Sequence, residues 1–137
     1  MPAIRVVDTI VPLGMSSPKP GVYVFDMGQN FSGWARLRVR GPRGTDVRMR
    51  FAELLYDDGT LNQENLRSAQ AEDHYILKGE GEEIWEPRFT YHGFRYVEVT
   101  GFPGTPTLET VRGRVVHSAV DPIGGFAASK DILNGLQ

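Results

Sequence analysis

The chain contains no cysteine, which excludes disulfide staples, thiolate nucleophiles and cysteine-ligated metals. That absence leaves the compartment open, because exported proteins also do without cysteine. No apolar run approaches the roughly 20 residues a helix needs to cross a bilayer. The start, Met1-Pro2-Ala3-Ile4-Arg5-Val6-Val7-Asp8, lacks the basic segment and long apolar stretch of an export signal. A soluble chain is expected, either cytoplasmic or secreted with any signal lying upstream. Excess charge is missing too: 15 basic residues against 17 acidic ones leave a net charge of −2. No overall field favours nucleic acid or an anionic membrane, and neither is expected as a partner. The three histidines, His74, His92 and His117, show no metal-ligand spacing, so no metal and no cofactor are expected.

Helical periodicity is scarce as well, and what replaces it is alternation. The 137 residues suit one domain, long enough to bury roughly two thirds of the surface of the unfolded chain. With 40% hydrophobic and 23% charged residues, the composition is that of a globular protein rather than a disordered tail. In 34–40, Ala35, Leu37 and Val39 fall on one face, and Arg36, Arg38 and Arg40 on the other. After the turn Gly41-Pro42-Arg43-Gly44, Val47, Met49 and Phe51 alternate with Arg48 and Arg50, so the two segments read as a hairpin. Further strands are predicted at 4–11, 22–27, 74–77, 84–90, 94–100 and 110–117. Many short strands punctuated by 16 glycines and 9 prolines point to an all-β fold, an antiparallel β-sandwich or jelly roll.

Two regions break this rhythm. The segment 54–71 holds the turn Asp57-Asp58-Gly59-Thr60 and a polar stretch with few apolar anchors, and is predicted as a long loop. At the other, Ser129 is placed as the N-cap of a short C-terminal helix with Ile132, Leu133 and Leu136 on one face. Two roles are open to that helix: a docked terminus, or the start of a helix leading into another domain. The division adopted is 1–120 for the sandwich and 121–137 for linker and helix.

Several ordered blocks then narrow the reading. They are Phe25-Asp26-Met27-Gly28-Gln29-Asn30-Phe31-Ser32-Gly33-Trp34, Ala52-Glu53-Leu54-Leu55, Asp58-Gly59-Thr60-Leu61, Glu64-Asn65-Leu66-Arg67-Ser68-Ala69, Asp73-His74-Tyr75-Ile76-Leu77 and 86–99. Together, over 22–118, they resemble the concanavalin-like β-sandwich domain of bacterial α-L-rhamnosidases, glycosidases that hydrolyse terminal α-L-rhamnose. The resemblance implies a fragment whose partner is a catalytic α/α barrel of the same parent chain. It also implies that the catalytic carboxylates lie in that barrel, so no catalytic residue is assigned here and the fragment alone is expected to be inactive.

Candidate contacts follow from residue chemistry. Gln29, Asn30 and Trp34 combine amides with an aromatic ring, a set able to bind the hydroxyls and apolar face of a sugar. The same run, with Gly28, equally suits a turn or bulge. His92 and Arg95 offer a ligand and a carboxylate grip, or a satisfied strand corner with a bulge at Gly93. Glu64, Asn65 and Arg67 lie in the polar loop and are candidates for sugar or inter-domain contact. The arginine series from Arg36 to Arg50 reads either as a cationic stripe or as the solvent or inter-domain face of a sheet. Asp26, Glu53, Glu64 and Asp73 are the acids nearest the blocks, yet nothing in the sequence sets two of them at the separation glycoside hydrolysis needs. The alternative to a scaffold is therefore a carbohydrate-binding module for rhamnose or a related sugar.

Overall fold

The computed structural model describes residues 2–121 and 123–135. Its strands are β1 (Ile4–Ile10), β2 (Gly14–Lys19), β3 (Val22–Arg40), β4 (Asp46–Ala52), β5 (Leu54–Leu55), β6 (Leu61–Asn62), β7 (Glu72–Ile76), β8 (Glu82–Trp85), β9 (His92–Thr100) and β10 (Val111–Ser118). One short helix, α1 (Asp131–Asn134), follows. Strand pairing is antiparallel throughout.

β3 organises the fold. Its 19 residues unite the two segments predicted at 22–27 and 34–40. The first half pairs with β2 and β9, the second with β10 and β8. Strands thus run β2-β3-β9-β4-β7 along one half and β1-β10-β3-β8 along the other, and β3 carries the chain from layer to layer. Between the layers, Ala35, Leu37 and Val39 of β3 pack in one cluster with Val47, Met49 and Phe51 of β4 and Val97 and Val99 of β9. Antiparallel sandwich layers of this kind meet through the inward member of each alternating pair.

The predicted hairpin between 34–40 and 47–51 is corrected by this arrangement. β3 and β4 do not pair; β4 lies between β9 and β7. Each has one apolar face, and both faces turn into the same core from opposite layers, so alternation was read correctly and adjacency was not. β2 escaped notice because Ser16, Ser17 and Pro18 give it the polar, proline-bearing character of an edge strand.

Two local features place side chains. Asp26 pairs with Tyr96 and Phe31 with Phe94, so residues 27–30 of β3 stand opposite Arg95 alone. This bulge turns on Gly28, at φ 80°, a conformation glycine adopts without strain. The bulge expected at Gly93 is absent, since Gly93 pairs in register with Ser32. The second feature is the end of β8. Leu37 pairs with Trp85 and Gly33 with His92, so 86–91 forms a six-residue excursion opposite only 34–36. The strand predicted over 84–90 stops at Trp85 because Pro87 has no N–H for the ladder.

The predicted loop 54–71 holds more structure than expected: the β5–β6 hairpin and a 3-10 turn at Glu64–Leu66. Asp58 Oδ1 accepts from the Thr60 N–H and hydroxyl at 2.9 and 2.6 Å, which is turn chemistry. At the C-terminus the cap is Lys130, without a side-chain bond, in place of Ser129. The turn is tied instead by Asn134, which accepts from Ala128 N–H and donates to its carbonyl. Ile132 and Leu133 are exposed, and Leu136 lies outside the described residues.

Candidate functional site

The bulge of β3 gathers the first group of candidates. Arg95 reaches across it to grip Asp26 with two parallel bonds of 2.8 Å, while Asp26 Oδ1 also accepts from the Gly28 N–H at 2.7 Å. The hydrogen-bonded Arg95 guanidinium holds the Asp26 carboxyl below its ordinary range. That is the wrong direction for a general acid, which must stay protonated near neutrality. The Arg95 guanidinium also lies 5.1 Å above the Tyr96 ring.

Beside it, Asn30 donates to one oxygen of Glu53 at 2.6 Å and Asn65 to the other at 3.0 Å. One carboxylate thus ties the bulge of β3 to the 3-10 turn. Glu64 accepts from the Tyr56 hydroxyl at 2.9 Å. Arg67 closes the turn at φ 56°, the one non-glycine residue with positive φ among those described. The side chains of Gln29 and Arg67 are exposed and make no hydrogen bond to a described residue.

His92 belongs to a different environment. Its ring stacks on Phe51 at 4.4 Å, and Nε2 lies 3.3 Å from Asp73 Oδ1. Asp73 stands opposite Met49 and so faces the core; its other oxygen is buried without a hydrogen-bond partner among the described residues. This is a core histidine held by a carboxylate.

Trp34 points outward from β3. Its indole N–H donates to Glu86 Oε2 at 2.7 Å, and Arg114 Nε lies 3.3 Å from the same oxygen, close enough to attract but out of line for a hydrogen bond. Trp34 and the excursion 86–91 border an open groove of about 970 Å³. Half of the arginine stripe is ion-paired: Arg38 meets Glu82 and Glu109, Arg48 meets Glu72, and Arg50 meets Glu98.

The eight candidates therefore do not form one site. Asn30, Asn65, Gln29 and Arg95 gather at the bulge and its facing turn, His92 sits at the core, and Trp34 lies on the outer face. Each of the four acids singled out has its own partner, and among the described residues no group of three or more His, Cys, Asp or Glu could hold a metal. Glu53 and Glu86, the hubs, escaped the candidate set. Both lie in the ordered blocks, Glu53 next to Ala52 and Leu54 and Glu86 at the start of 86–99, and the sequence offers Glu53 only as a catalytic acid.

Residues 16–117 match the family described as the bacterial alpha-L-rhamnosidase concanavalin-like domain. An alpha-L-rhamnosidase of Streptomyces avermitilis is 53% identical over 133 residues, 97% of this chain and 13% of the relative. One from Formosa agariphila is 44% identical over 121 residues, 87% of this chain and 13% of the relative. The structure of alpha-L-rhamnosidase from Dictyoglumus thermophilum superposes with a TM-score of 0.94 at 55% identity, covering 97% of this chain and 15% of that one. The Streptomyces avermitilis enzyme complexed with L-rhamnose gives 0.94 at 52% identity, covering 98% and 13%. In these relatives the domain is part of a larger chain, and the present chain spans only 13–15% of their length. A match running from β2 through nearly all of β10, on a sandwich of the same shape, makes this chain a member of the bacterial α-L-rhamnosidase concanavalin-like domain family.

Proposed function

We propose that this domain is a non-catalytic scaffold within a longer α-L-rhamnosidase, an enzyme that hydrolyses terminal α-L-rhamnose. Residues 1–120 form the supporting sandwich, and 121–137 lead toward a catalytic α/α barrel of the same parent chain. One observation carries this reading: Asn30, Trp34, Asn65 and Arg95 are each engaged with one of the domain's own carboxylates. Arg95 holds Asp26, Asn30 and Asn65 hold Glu53, and Trp34 holds Glu86. A sugar would have to displace these bonds, of which those at Arg95 and Trp34 are partly buried.

A second reading has some support. Gln29 and Arg67 make no hydrogen bond to a described residue, and Trp34 borders an open groove, so a carbohydrate-binding role for rhamnose or a related sugar is the competing class. Titration of L-rhamnose against the backbone amide shifts of this chain separates the two. The scaffold predicts no saturable shift up to high millimolar sugar. Saturable shifts that vanish in Trp34→Ala, with the remaining spectrum unchanged, favour the module.

A further inference from the structure

The excursion 86–91 displays apolar side chains that the domain itself does not cover. Phe89 is 98% exposed, Tyr91 70% and Ile84 63%. A large aromatic side chain carries roughly 200 Å², so the two rings alone leave on the order of 300 Å² of apolar surface in water. An apolar surface of that order matches the largest patch on a typical monomer, which is often functional.

These residues share one face. Trp34 and Ser32 are two positions apart on β3 and so point the same way. Trp34 borders the groove beneath Phe89, and Ser32 borders a neighbouring hollow with Tyr91 and Ile4, the latter itself 69% exposed. The display is also held in place. Glu86, at the root of the excursion, is anchored by the Trp34 indole and by Arg114 from β10, and Pro87 restricts the backbone beside it. A fixed loop that keeps two aromatic rings in water is preorganised for a partner, since little ordering cost remains to be met on docking.

We propose that this face, built on Phe89, Tyr91, Ile84 and Trp34, is where the domain seats against the catalytic part of its parent chain. The proposal rests on the reading of the domain as a scaffold in a longer enzyme, and adds which surface does the seating. The occupant is a segment of the same parent, for two reasons. The end of β10 at Ser118 lines the same hollow as Tyr91, so the chain continuing past the sandwich leaves beside this face, and Val120 and Ile123 in that stretch are exposed as well. The matched relatives also extend far beyond the 13–15% this chain spans, which supplies a same-chain neighbour at high effective concentration. Arg88, exposed on the rim and without an ion pair to a described residue, calls for a carboxylate on that neighbour. The loop 54–71 is a poorer seat, because its exposed large hydrophobic side chains are Leu54 at 61% and Tyr56 at 42%, against 98% for Phe89.

Hydroxyl-radical footprinting read by mass spectrometry tests this in two samples, the 137-residue chain and the full-length parent. Oxidation of Phe89 and Tyr91 is expected to fall at least about five-fold in the parent, as water is excluded from a packed contact, while exposed Ile76 on β7 keeps its rate. In the parent, Phe89→Asp is expected to restore oxidation of Tyr91. A parent that hydrolyses rhamnosides yet leaves both rings oxidised at the rate of the short chain overturns the seating face and leaves the scaffold reading standing. A parent that shields both rings but hydrolyses no rhamnoside keeps the face and removes the enzyme assignment. Shielding in the short chain alone, on adding L-rhamnose or on raising protein concentration, overturns the proposal in favour of a sugar or a second copy.

Discussion

Arg95 is the single β9 residue that faces the four-residue bulge of β3, and its guanidinium closes that bulge by gripping both oxygens of Asp26 at 2.8 Å. Arg95→Ala is expected to lower Tm by roughly 4 °C, the scale of a partly exposed ion pair in a domain of this size. The effect depends on pH with a definite sign. Asp26 titrates below its ordinary 3.8 in the folded chain, so the stabilisation is complete above that value and is lost as pH falls through the lower folded pKa. Urea unfolding at pH 7 and near pH 2 checks this: the gap between wild type and variant should narrow in acid, and a gap that widens contradicts the assignment.

Gly33 is required by closeness rather than by backbone angle. A Cβ there would lie 1.9 Å from the Arg114 carbonyl oxygen on β10, so Gly33→Ala must push two paired strands apart. A loss of about 3 kcal/mol is expected, measured by denaturant unfolding. A neutral substitution would show that β10 does not approach β3 this closely.

The Tyr75 hydroxyl donates to Glu83 at 2.6 Å, and this bond pushes its pKa up to about 12. Stability from the bond is present below the ordinary tyrosine pKa of 10.0 and disappears as pH rises through the folded value. Ultraviolet absorbance titration of the native chain should show a late phenolate step that Tyr75→Phe deletes. Its survival in the variant would assign the step to another tyrosine.

Glu53 joins elements that are distant in sequence, through Asn30 and Asn65. Because the contact is exposed, Glu53→Ala should cost under about 1 kcal/mol yet speed amide exchange across 63–70. Unchanged exchange would mean that the carboxylate does not hold the turn.

Arg67 sits at φ 56° and ψ −108°, where a side chain costs on the order of 1–3 kcal/mol. Arg67→Gly is therefore expected to raise Tm. A lowered Tm would reveal a contact of the Arg67 side chain that outweighs the strain.

The sequence exposed the interior of individual strands well, because Ala35-Leu37-Val39 and Val47-Met49-Phe51 each have one buried face and must alternate. It was silent on which strands adjoin, since two apolar faces read the same whether they pair side by side or pack across a core. The bulge at 27–30 was legible through Gly28, which takes positive φ as expected, whereas Asn30 does not and bonds the Glu53 side chain instead of backbone. The excursion at 86–91 was not, because Phe89 and Tyr91 alternate with polar residues as a strand would, and only Pro87 speaks against one. The candidate site was legible as a set of side chains but not as contacts: Asn30 and Asn65 meet only through Glu53, and Arg95 meets Asp26 only because the bulge leaves it alone opposite four residues.

The most direct test of the scaffold account is release of the chromophore from a nitrophenyl α-L-rhamnoside by the 137-residue chain and by its full-length parent, side by side. The account predicts turnover by the parent and none above the buffer rate by the 137 residues. Turnover by the short chain at enzyme-like rates would contradict it.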